Sequence, residues 1–73
     1  MAETNVLKIT LKAARVNAGF TQKTAAKELG VSKDTLGNWE RYESYPDVTM
    51  IPTIERIYNI KIDNIIFLPQ NNT

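Results

Sequence analysis

With 73 residues, no cysteine, no histidine and a net charge of +1, the chain has room for one small domain and few kinds of chemistry. It lacks disulfide staples, thiolate nucleophiles, the commonest zinc ligands and the usual proton shuttle at neutral pH. No apolar run resembles a signal peptide or nears the roughly 18 residues of a membrane span, so a cytoplasmic protein without metal, cofactor or membrane is expected.

Taken in order, the apolar spacing is helical almost throughout. Leu7, Leu11, Ala14 and Ala18 share one face of a first helix, which Gly19 closes. Thr21 is a natural N-cap for a second helix with Ala25, Ala26 and Leu29 inside, and Gly30 ends it. Thr24 stands where a glutamate would complete a capping box, so this helix is expected to be less well capped. Ser32 caps a third helix, with Asp34 in a first turn that favours negative charge, and Leu36 and Trp39 buried. A loop over Glu43–Asp47 stops at Pro46. Thr49 is expected to cap a fourth helix, placing Pro52 in its first turn and Ile51, Ile54 and Ile57 inside, with Tyr58 beside them. A short fifth helix is expected near Asp63, using Ile62, Ile65 and Ile66, until Phe67-Leu68-Pro69 ends the order. The apolar run Ile65–Leu68 reads as core, with pairing of two subunits as its other use. The expected fold class is all-α: a compact bundle of four to five short helices, one domain over 1–73 with an ordered core of about 6–68.

Charge is unevenly spread. Between Lys8 and Arg41 seven basic residues stand against three acidic ones, whereas from Tyr42 onward two basic residues stand against four acidic ones. A basic front and a mildly acidic back suit a protein that turns one side toward a polyanion. Lys12 and Lys27 read as solvated surface charges.

The informative stretch is QKTAAKELGVSKDTLGNWER, from Gln22 to Arg41. Two short helices flank a tight turn at Gly30-Val31-Ser32, where glycine can take a left-handed backbone conformation. Ala26 lies where the helices cross most closely, and Val31, Leu36 and Trp39 lock the second of them to the body. Such a unit projects one helix at a fixed angle, which suits the DNA major groove.

With KAARVNAGFTQ before it, AAKELGVSKDTLGNWE within it, and SYPD and YNIKIDNIIF after it, the sequence resembles the lambda-repressor/Cro-like helix-turn-helix family, the XRE-like regulators, from about Lys8 to Leu68. The resemblance implies a recognition helix within Ser32–Tyr42 and a sequence-specific regulator of bacterial or phage origin acting on double-stranded DNA. By position it makes Gln22 a phosphate anchor, puts Ser32, Lys33, Asp34 and Asn38 where bases or adjacent phosphates are reached, and makes Lys23, Arg41 and Tyr42 phosphate contacts. Lys33 could donate to guanine O6 or N7, and Asp34 could accept from cytosine N4. Arg15 and Glu40 match an internal salt bridge of some relatives and are structural. Gly37, inside the recognition helix, departs from the pattern. It either permits close approach to the DNA backbone or is a weak spot of roughly 1 kcal/mol.

One recognition helix reads few base pairs, so a homodimer on a palindromic operator is expected, as in a phage or mobile-element repressor. The competing reading is a protein-interaction module on the same fold, antitoxin-like or an accessory regulator. That reading fits a chain with a partner-binding tail, and only Met1–Asn5 and Gln70–Thr73 are expected outside the bundle. An enzyme is not expected, for want of a phosphate-binding glycine loop or a plausible carboxylate pair in a pocket.

Overall fold

Two threonines and a serine set the starts of the first three helices. In the computed structural model, which describes residues 8–67, Thr10 accepts the Ala13 N–H at 3.0 Å and opens α1 (Leu11–Asn17). Leu7, Leu68, Pro69 and both chain ends, Met1–Asn5 and Gln70–Thr73, lie outside the described residues. Thr21 opens α2 (Gln22–Leu29) and Ser32 opens α3 (Lys33–Glu40), the latter by accepting the Thr35 N–H at 3.0 Å.

The cap of α2 corrects the sequence expectation. Thr24 N–H donates to Thr21 Oγ1 at 3.1 Å while Thr21 N–H donates to Thr24 Oγ1 at 3.0 Å. A threonine hydroxyl therefore completes the reciprocal box that usually takes a glutamate or glutamine, because the turn brings it within reach without a longer side chain.

Helix ends are set by left-handed residues. Gly19 (φ +89°) follows α1 and Gly30 (φ +78°) closes α2, where Val31 N–H reaches back to the Ala26 carbonyl at 3.0 Å. α3 ends the same way on Tyr42 (φ +64°), with Tyr42 N–H to Trp39 O at 3.2 Å and Glu43 N–H to Asn38 O at 2.9 Å. This is a Schellman closure on a residue other than glycine.

The second half departs twice from expectation. Thr49 caps no helix; it sits inside a 3₁₀ turn, Val48–Met50, that runs directly into α4 (Ile51–Tyr58). That turn already pairs Met50 N–H with Asp47 O at 2.8 Å, and Pro52 has no donor to satisfy. The fifth helix is a single 3₁₀ turn, Ile62–Asn64, fixed by Ile62 N–H donating to the Glu55 carboxylate at 2.7 Å. The chain then extends into β2 (Ile65–Ile66), which pairs in parallel with β1 (Ile9–Thr10). Adjacent β-branched isoleucines favour an extended pair over another helical turn. A parallel pair needs a long crossover, and here the crossover is the helical body itself. The domain is otherwise all-α.

All four helices contribute to one core: Leu11 and Ala14 from α1, Ala25, Ala26 and Leu29 from α2, Leu36 and Trp39 from α3, and Ile54 and Tyr58 from α4, closed by Ile65. Ile51 and Ile57 are half-buried, and Tyr58 takes the inner position beside Ile54. The Tyr58 ring lies 6.1 Å from that of Phe20. Its hydroxyl is buried with no hydrogen-bond partner among the described residues.

Burial, reinforced by the Glu40 charge and opposed by Arg15, pushes the Tyr58 phenol from about 10 up to about 12. In the unfolded chain this tyrosine ionises first, so stability should fall as pH rises from about 10 to about 12. Tyr58→Phe should flatten that fall and be at least as stable at pH 7, since it removes a buried unpaired hydroxyl. Thermal melts of both proteins across pH 7–12 check this, and an equally steep alkaline loss in the variant would locate the titration elsewhere. No described helix is long and apolar enough to cross a membrane.

Candidate nucleic-acid interface

α3 has an inner and an outer face. Leu36 is fully buried and Trp39 nearly so, while Ser32, Lys33, Asp34 and Arg41 are exposed and Asn38 is half-buried on the opposite side. Ala26, 3% exposed, leaves α2 and α3 room to pack closely across the turn at Gly30, with Val31 half-buried beside them. The outward residues therefore stand on a helix whose position is fixed from behind. Tyr42 is placed apart from that face: it is half-buried, and its hydroxyl donates to the Ile66 carbonyl at 3.5 Å.

Behind the start of α2 lies a buried polar knot. Arg15 Nε donates to Glu40 Oε2 at 2.8 Å and Arg15 Nη2 to Glu40 Oε1 at 3.3 Å, with both side chains under a tenth exposed. Arg15 Nη1 donates to the Phe20 carbonyl at 3.0 Å. Gln22 Nε2 donates to Glu40 Oε1 at 3.0 Å. One carboxylate thus ties α1, α2 and α3 together. It also orients Gln22, whose other N–H and carbonyl oxygen remain for a ligand. An open depression in front of the knot is lined by Lys12, Lys23 and Lys33, together with Thr21 and Gln22. Lysines from three helices thus line one depression beside the N-terminus of α2, a setting favourable to an anion.

A family model described as helix-turn-helix matches residues 11–65. The chain belongs to the XRE-like helix-turn-helix family. Over 53 residues it is 40% identical to the HTH-type transcriptional regulator ImmR of Bacillus subtilis (strain 168), a match that takes in 73% of this chain and 42% of that protein. The chain thus matches less than half the length of that relative. No solved structure gives a significant match.

Within the family's frame, two features of the site escape sequence reasoning. Lys12, read as a solvated charge, joins Lys23 and Lys33 around one depression; it lies far from Lys33 in sequence, and only the packing of α1 on the motif brings them together. Gly37 does not front empty space. A Cβ there would meet Arg41 Nη1 at 3.1 Å, so the glycine makes room for an arginine of its own helix. The spacing of four residues is a local signal that could have disclosed it, since side chains lean toward the helix N-terminus.

Proposed function

We propose that the chain is a sequence-specific transcriptional regulator that reads double-stranded DNA with α3 in the major groove, as a phage or mobile-element type repressor does. The observation that carries this reading is the outward row Ser32, Lys33, Asp34, Asn38 and Arg41 on a helix locked from behind by Leu36 and Trp39. Gln22, held by Glu40, and Lys23 anchor a backbone phosphate at the start of α2, and Lys33 and Asp34 meet base edges. Tyr42 is placed to buttress the end of α3, and any phosphate it meets lies at the edge of the site. Such a protein works as a homodimer on a palindromic operator with half-sites roughly 34 Å apart, and represses by occupying the operator.

Selection from a random duplex pool, followed by titration of the winning site at two salt concentrations, tests the reading. An enriched palindrome that keeps its advantage over random DNA at the higher salt is the expected result. No enriched site, with only weak salt-sensitive binding, would turn the assignment toward protein recognition. On the selected site, Lys33→Ala should cost about 1–3 kcal/mol and relax preference at one or two positions. Gln22→Ala should weaken every sequence alike, and unchanged affinity would remove it from the phosphate contact.

A further inference from the structure

Gly37 lies on the outward row of α3, between the turn that carries Lys33 and Asp34 and the one that carries Arg41, yet it is buried. The nearest atoms to a Cβ built there all belong to the Arg41 guanidinium. Arg41 therefore folds back along its own helix and lies on Gly37, rather than extending from the helix end toward a phosphate. Two contacts hold it there: Nη2 donates to Asn38 Oδ1 at 2.6 Å, and Nε lies 3.6 Å from Glu43 Oε1. The Glu43 pair is exposed and contributes little by itself.

The contact with Asn38 fixes what both side chains can offer a base. A guanidinium carries five N–H donors and no acceptor, so the asparagine atom facing it must be the carbonyl oxygen. Asparagine reads adenine by donating to N7 while accepting from the N6 amino group. The Arg41 guanidinium takes one of the two lone pairs of Oδ1 and turns that oxygen toward itself, so the pair has more donors than acceptors left to offer. Asn38 retains its amide donors, and Arg41 retains four of its five N–H groups. The base whose major-groove edge offers paired acceptors, N7 and O6, is guanine.

We propose that Gly37, Asn38 and Arg41 form one donor-rich reading unit that selects guanine in the operator, with Arg41 as the reading side chain, Asn38 orienting it and Gly37 leaving the space in which its guanidinium lies. The unit rests on the DNA-reading function proposed above and moves Arg41 from the phosphate backbone to a base. Asn38 is a positioning residue for Arg41 as well as a donor.

Duplex selection with the wild type, Arg41→Lys and Gly37→Ala, alongside thermal melts, tests the unit. The wild-type site should contain a guanine preferred roughly 5- to 150-fold over other bases. Arg41→Lys keeps the charge and any phosphate contact but loses the fork; it should abolish the preference at that position and leave the others. Gly37→Ala, whose Cβ would stand 3.1 Å from Arg41 Nη1 and nudge the guanidinium aside, should weaken the same position less than Arg41→Lys does and without lowering the melting temperature, alanine being the better helix former. An enriched site whose base preferences are unchanged in Arg41→Lys, or affinity lost equally on all sequences, would return Arg41 to the backbone and overturn the unit. A wild type that enriches no site would overturn the DNA-reading function itself, and the unit with it.

Discussion

Glu40→Ala is expected to cost about 3–5 kcal/mol, because it leaves the Arg15 guanidinium buried and uncompensated. The carboxylate accepts from Arg15 twice and from Gln22 once, so its removal strands three donors, and Arg15 keeps only the Phe20 carbonyl. For a domain of this length each kcal/mol shifts the melting temperature by roughly 4–8 °C. The variant should therefore melt tens of degrees lower, if it folds at all. Replacing both partners with apolar residues, Arg15→Met with Glu40→Leu, should recover a large part of the loss, since a buried pair exchanged for hydrophobic groups is often neutral or better. Gln22, half-exposed, can then turn to water. Thermal denaturation of the single and double variants measures the coupling. A Glu40→Ala protein melting within a few degrees of wild type would mean that the knot opens to solvent. The same series bears on function: the double variant would fold yet lack the group that orients Gln22, and it should bind all DNA sequences more weakly.

How far the sequence discloses this protein depends on whether the determining contact is local. Thr21, Gly30 and Ser32 act within one turn of where they stand, and the motif they bound was legible from its punctuation. The inner face of α3 was legible because Leu36 and Trp39 lie three apart. Thr24 departs from expectation because a capping box is defined in sequence by residue type, whereas the structure needs only an oxygen at the right place. Thr49 gave way to Asp47–Met50 because a 3₁₀ turn can satisfy the first amides of a helix without a side chain. Ile62, Ile65 and Ile66 fit a helix or a strand equally well. What decides for the strand is β1, at the other end of the chain, and nothing near Ile65 points to it. The site divides in the same way. The row along α3 follows from helical spacing, while the gathering of Lys12 with Lys23 and Lys33 is a product of tertiary packing. The Arg15–Glu40 pair was accessible only through the family resemblance, since no rule of spacing joins residues so far apart.

Leu36→Ala is the second large effect expected, at about 2–5 kcal/mol. Leu36 is fully buried and is the largest fully buried side chain that α3 contributes, while Trp39 anchors the helix one turn later. No other residue of the first turn of α3 is buried in the core. Truncating Leu36 therefore leaves the first turn of α3 held by its Ser32 cap and by half-buried Val31. In a domain with so small a core the loss is a large fraction of total stability. Melts with and without the selected duplex separate the structural effect from the functional one. DNA that binds only the folded protein stabilises it by about 2.7 kcal/mol at a hundred times its Kd, so operator should recover much of the lost melting temperature, whereas an unrelated duplex at higher salt should recover little. If the wild type and Leu36→Ala melt alike, α3 is not fastened at this point. If Leu36→Ala is destabilised yet gains nothing from operator, the helix it fastens is not the one that reads the DNA.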